Sequence, residues 1–250
     1  MGTQRRKRTE VAPAGARGRE ARAPAATAED RVFRAIHEAV LGHRLAPGTK
    51  LKELELAELF GVTRAVVRKV LARLAHLQLV QLRPNRGAVV ASPSVEEGIE
   101  LFGARAAIEA ALAERATARI TRDQLRELRS VVKQEHDAYR RGDEAEGHRR
   151  SVEFHRLLAG VAGNGVLAAF LDQLIARTPL VVLAHPAGAN GNTCSIDEHG
   201  AILDALAAGD EARAARAMRE HLDAVLGRLR LQRSREPRAL AEMLGVAAAA

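Results

Sequence analysis

Apolar residues in the first third of the chain recur in helical rhythm and then, briefly, in strand rhythm. Val32, Phe33, Ile36 and Val40 share one face of a predicted helix that starts at a cap on Thr27, with Asp30 three residues on, and runs to about residue 42. LAPGTKL, residues 45–51, reads as a turn. A second, short helix is predicted over residues 53–60, burying Leu56, Leu59 and Phe60 and stopped by Gly61. Thr63 can cap a third helix that extends to about residue 77. LVQL at 79–82 and AVVA at 88–91 read as strands, and the RPNRG between them supplies the Pro, Asn and Gly of a hairpin turn. Three helices followed by a small hairpin are the parts of a winged helix-turn-helix.

Past SPS at 92–94, a short linker and helix cap, the pattern is helical almost to the end. Helices are predicted near 95–118, 122–141, 143–162, 164–184, 196–208 and 210–233, broken by TR, RGD, AGNG, HPAGANGNTC and AAGD. The predicted fold is therefore mostly α. A flexible basic tail (1–28) precedes a winged helix-turn-helix domain (29–92); an all-helical bundle of about six helices (95–233) follows, then a loose C-terminal tail (234–250).

Composition sharpens this picture. Of 250 residues 47% are hydrophobic but only 2% aromatic, with no Trp, so the core must be built from Leu, Val, Ile and Ala, which favours packed helices. The densest apolar run, PLVVLA at 179–184, is far shorter than the roughly 20 residues a membrane span needs, so no membrane span is expected. The paired arginines near the start are followed by no apolar segment, which argues against a secretory signal. A single cysteine, Cys194, allows no internal disulfide and suits a reducing cytoplasm. The net charge of +8 is unevenly spread: +4 over residues 1–29, +6 over 30–93 and −2 over 94–250. Such asymmetry suggests a polyanion-binding front end on a body with another task.

The third helix carries that front end. Advancing about 100° per residue gathers Arg64, Ala65, Arg68, Lys69, Ala72, Arg73 and His76 on one half of it, with Val66, Val67, Val70, Leu71 and Leu74 on the other. Small alanines between long cations let the helix sit low in a groove, where Arg can bond a guanine edge through two hydrogen bonds. Lys69 and Arg73 are better placed for phosphates. Arg86 at the hairpin tip can reach a minor groove or phosphate, and Gly87 allows close approach. A solvated basic face is the bland alternative, but the preceding short helix and the hairpin weigh against it. An anionic membrane is disfavoured because this helix lacks exposed bulky apolar residues.

In the helical body, Leu101, Arg105, Ile108 and Leu112 follow helical spacing, so Arg105 lies on the buried stripe. A cation there needs an anion, which is either an internal carboxylate or a bound acidic ligand held by a bidentate guanidinium. His155, His199 and His221 also face inward by periodicity. One inward His is ordinarily a hydrogen-bonded core residue; three on separate helices of one bundle can converge on a divalent metal. His37, His43, His76, His136, His148 and His185 form no comparable group.

LAPGTKLKELELAELFGVTRAVVRKVLARLAHLQLVQLRPNRGAVV resembles the DNA-binding domain of the GntR superfamily of bacterial regulators. That family's pattern runs PG, L-x-E, L-A, G-V-S/T-R, V-R, R-L and a wing with N-R-G. The resemblance implies that Thr63, Arg64, Arg68, Arg86 and Gly87 meet an operator. Lys69 stands where the family commonly has Glu or another residue, and residues 76–78 replace a more usual acidic-then-Gly turn, which bears on sequence preference. ARAAIEAALAERA, SVEFHRLLAGVAGN, EHGAILDALAAGD and AMREHL are similar to the all-helical FCD effector domain of the FadR-type branch. The resemblance implies a divalent metal, zinc or similar, on His155, His199 and His221, and places Arg105 where the family reaches into its effector pocket. The family's further ligand, an Asp four residues before the first His, is Ser151 here, which weakens the expected metal site.

The expected function is that of a non-enzymatic, cytoplasmic, ligand-responsive transcriptional regulator, a repressor in the first instance. As a homodimer it would bind a near-palindromic double-stranded operator and be released or re-set by a small carboxylate metabolite. Two alternatives stay open: a DNA-binding regulator whose helical domain only dimerises, without metal or effector, and a metal-dependent hydrolase, for which no Glu base is tied to the histidines.

Overall fold

The computed structural model describes residues 27–42, 44–84, 86–185 and 196–229. The predicted tails, but for Thr27 and Ala28, lie outside the described residues, as do Cys194, Asn85 in the wing turn and most of the HPAGANGNTC break.

The elements run α1 (Ala28–Leu41), β1 (Lys50–Leu51), α2 (Glu53–Phe60), α3 (Arg64–His76), β2 (Val80–Arg83), β3 (Gly87–Val90), α4 (Val95–Thr117), α5 (Arg122–Arg140), α6 (Glu144–Ala162), α7 (Gly165–Ala184), α8 (Ile196–Ala208) and α9 (Glu211–Arg228). The protein is thus mostly α, a winged helix-turn-helix followed by a six-helix body. Thr27 and Thr63 cap α1 and α3, each accepting from the backbone N–H three residues on, and Gly61 ends α2 in the left-handed conformation.

One expectation is corrected in the first domain. Residues 45–51, read as a turn, end in β1, which pairs antiparallel with β3 through Lys50 opposite Val89 and Leu51 opposite Ala88. The sheet order is β1-β3-β2, so the wing has three strands. Two residues are too short for a period-two signal, and only the partner strand reveals them.

Two apolar cores form. Ile36, Leu56, Val67, Leu71, Leu74 and Val90 fill the winged domain; Phe102, Leu112, Leu128, Phe154, Ile202 and Leu222 fill the body, where α4 lies against α6, α7, α8 and α9. Helix α7 joins them, giving Leu171, Ile175 and Val181 to the body and Ala176 and Leu180 to the winged core. By length and composition α7 would be long and apolar enough to cross a membrane, the one such helix among the described residues, but its Leu171, Ile175, Ala176, Leu180 and Val181 are taken up by the two cores. Asp172, Gln173 and Arg177 interrupt its apolar run and hide this from a scan for consecutive residues. A helix that serves two cores needs apolar residues around much of its circumference.

Candidate nucleic-acid interface and metal centre

On α3, Val67, Val70, Leu71 and Leu74 are buried while Arg64, Ala65, Arg68, Lys69, Ala72, Arg73 and His76 are exposed. The amphipathic division therefore lies as the periodicity predicts, because burying the valines and leucines against α1 and α2 turns the cations outward. The three arginines are not loose. Arg68 Nε donates to Glu53 Oε2 at 2.8 Å and Arg64 Nη2 donates to the same oxygen at 3.1 Å. Arg73 Nη1 donates to Asp30 at 3.2 Å, and its guanidinium lies 3.8 Å from the Phe33 ring centroid, a cation–π contact that ties it to α1. Thr63 spends its hydroxyl as the α3 cap, accepting from Val66 N at 3.4 Å.

Arg86 is exposed at the wing tip, whereas Gly87 is buried. Gly87 has φ +81°, and a Cβ there would meet Leu51 O at 2.2 Å and Glu53 N at 3.2 Å. The space its missing side chain opens is occupied by the backbone of β1, which locks the wing against the start of α2.

His155 on α6, His199 on α8 and His221 on α9 are all buried, and one ring nitrogen from each lies within 4.8 Å of the others. Each ring lies against a carboxylate, and those of His199 and His221 are hydrogen-bonded to it. His155 Nδ1 lies 2.5 Å from Glu109 Oε2, His199 Nδ1 donates to Glu135 Oε2 at 2.7 Å, and His221 Nδ1 donates to Glu198 Oε2 at 3.0 Å. At His199 and His221 the carboxylate accepts but cannot donate, so it fixes the Nδ1–H tautomer and leaves Nε2 with its lone pair. His221 Nε2 is buried with no hydrogen-bond partner. Burial, together with the neighbouring His199, pushes the His221 ring down to about 3, and burial also lowers His155 against the pull of Glu109. Both imidazoles are thus neutral near pH 7, the form that binds metal. The donor set fits a divalent ion with carboxylate-oriented imidazoles. Ser151, in the place of the expected Asp, is buried on α6 one turn before His155.

Arg105 is 5% exposed and has the internal carboxylate that its burial demands. Its Nε donates to Glu109 Oε1 at 2.7 Å, and its Nη1 donates to Thr178 on α7 at 3.3 Å. Glu109 therefore bridges Arg105 to His155. Burial alone would raise its carboxyl, but Arg105 and His155 outweigh that and hold it at about 2. Glu198 likewise takes two bonds from Arg228, at 2.6 and 2.8 Å, besides the one from His221.

Sequence reasoning brought out the three histidines and Arg105 but not Glu109, Glu135 or Glu198. A signal existed for two of them. Glu109 lies one turn from Arg105 on the buried stripe of α4, and Glu135 shares the buried face of α5 with Leu128 and Val132. An acid on an apolar stripe needs a partner just as a base does.

Residues 28–90 match the family model described as "Bacterial regulatory proteins, gntR family", and residues 100–224 match that described as "FCD domain". The chain is 32% identical over 219 residues to the HTH-type transcriptional repressor NanR of Cronobacter sakazakii, covering 76% of this chain and 80% of that protein. It is 28% identical over 202 residues to the HTH-type transcriptional repressor RspR of Escherichia coli, covering 81% and 89%. Among solved structures, E. coli McbR/YncC shares the fold with a TM-score of 0.70 at 21% identity, over 80% of this chain and 97% of that one. A GntR regulator from Rhodococcus does so with a TM-score of 0.70 at 22% identity, over 80% and 95%.

Proposed function

Because the chain belongs to the GntR family of bacterial regulatory proteins and carries an FCD domain, we propose that this ligand-responsive transcriptional regulator is a cytoplasmic repressor that acts as a homodimer. Two α3 helices would enter successive major grooves of a near-palindromic operator. The observation that carries this reading is the exposed cationic half of α3 on a winged scaffold, with Arg64 and Arg68 side by side. Arg64 and Arg68 read base edges; Lys69, Arg73 and Arg86 grip phosphates; Thr63 and Gly87 set the helix start and the wing that present them.

In the body, His155, His199 and His221 would hold a divalent metal, which when bound would supply a positive charge that attracts a carboxylate metabolite. Arg105 adds a second cation for that metabolite. Thr178, bonded to Arg105, and Leu180, packed in the winged core, sit two residues apart on α7. A ligand at Arg105 therefore has a packed route to the DNA-binding domain. Release of DNA requires that the metabolite bind the free form more tightly than the DNA-bound form.

A second reading, a helical body that only dimerises, draws on two observations: Ser151 supplies no charged ligand, and Arg105 already has Glu109. The test is a gel shift of the full-length chain on the DNA upstream of its own coding region, repeated with zinc and with candidate carboxylates. A preferred duplex, released by a carboxylate, is expected, and Arg68→Ala should cost about 1–3 kcal/mol of that affinity. No preference over random competitor at moderate ionic strength would overturn the proposal; preference without release by any carboxylate favours the second reading. Turnover of an ester or amide by the zinc-loaded chain would instead make it an enzyme.

A further inference from the structure

The contact that the DNA-binding reading leaves unused is Glu53. Its carboxylate sits where three elements meet. It belongs to the first residue of α2, its oxygen Oε2 takes bonds from both Arg64 and Arg68 on α3, and its backbone N lies beside Gly87 of the wing. The Glu53 side chain is 14% exposed, whereas the two arginines are 57% and 63% exposed, so the acid lies beneath the cations and not among them. Burial would raise its carboxyl, but the bonds from Arg68 and Arg64 outweigh that and keep it below the ordinary value.

Resting on the reading of α3 as the DNA-reading helix, we infer that Glu53 is a positioning residue that braces Arg64 and Arg68 as one paired reading head, and so sets how well the protein tells its operator from other DNA. Two physical effects act together. A long side chain ordered before binding loses less entropy on reaching a base edge. Arg68 gives its Nε to Glu53, which keeps both terminal amino groups for the two parallel bonds that guanine accepts. The carboxylate also removes one positive charge from the surface, which weakens attraction to phosphates of any sequence. Glu53 therefore raises specific and lowers indiscriminate binding.

The experiment uses the full-length chain and two duplexes of equal length: one enriched by the wild-type protein from a randomised pool, and one of random sequence. Glu53→Gln keeps the shape and removes the charge. Expected is about a tenfold loss of affinity for the enriched duplex with unchanged or tighter binding to the random one, and a salt dependence steeper by about one ion. In an Arg64→Ala/Arg68→Ala background the same substitution should leave the ratio of the two affinities unchanged. If Glu53 merely stabilises the start of α2, both affinities fall together and the ratio is preserved, which overturns the inference. Should E53Q unfold, Glu53→Asp carries the test. It retains the charge but is one methylene short of both guanidinium groups, and the ratio should fall without a change in salt slope; an unchanged ratio overturns the inference. Failure of the wild-type chain to enrich any duplex would instead remove the DNA-binding reading itself.

Discussion

Replacing Glu109 by Gln isolates the electrostatic role of the buried Arg105–Glu109–His155 chain, because the amide keeps the shape and opens no cavity. Glu109 is 1% exposed and Arg105 is 5% exposed, so neither charge can turn to water when the other is removed. Arg105 would keep the Thr178 hydroxyl, the neutral amide and the Phe102 ring, whose centroid lies 5.5 Å from its guanidinium carbon. Stranding one member of a buried ion pair costs about 3–5 kcal/mol. For a chain of this size each kcal/mol corresponds to roughly 2–4 °C in melting temperature, so a fall of about 10 °C is expected. Urea unfolding followed by far-ultraviolet circular dichroism measures the free energy directly. Arg105→Met combined with Glu109→Leu should regain a large part of the loss, since it removes both charges together. The effect has a pH signature. The Glu109 carboxyl is depressed to about 2 from an ordinary 4.5, so its contribution is full above 4.5 and is lost as pH falls toward 2. A penalty below about 1 kcal/mol at pH 7 would refute the claim that the pair is desolvated.

Ser151→Asp, one turn before His155, should tighten zinc binding by roughly ten- to a hundredfold in competition with a chromophoric chelator; unchanged affinity would mean that residue 151 does not face the ion. In the presence of a metal chelator, stability should fall on acidification. The His221 ring is depressed to about 3 from 6.5, so the unfolded chain binds the extra proton between these values, a loss of ~1.4 kcal/mol per pH unit for each proton. Urea midpoints that match at pH 7 and pH 5 would contradict this. Gly87→Ala forces a left-handed φ on alanine and pushes its Cβ into Leu51 O, so the melting temperature and duplex affinity should fall together, with ~1–3 kcal/mol lost; an unchanged melt would show that the wing can shift at no cost.

Local order was legible from the residues alone. The helical rhythm in 28–41 and 64–76, the threonine caps, the stop at Gly61 and the charge imbalance toward the front end depend on neighbours within a turn or two, and these set which faces are apolar. The inward direction of His155, His199, His221 and Arg105 followed from the same periodicity. Periodicity says that a side chain is buried but is silent about what it meets. Glu53 meeting Arg68 across 15 positions, Glu135 meeting His199 across 64 and Arg105 meeting Thr178 across 73 are products of packing. Burial obliges each charge to find a partner, and only the folded chain decides which partner lies within reach.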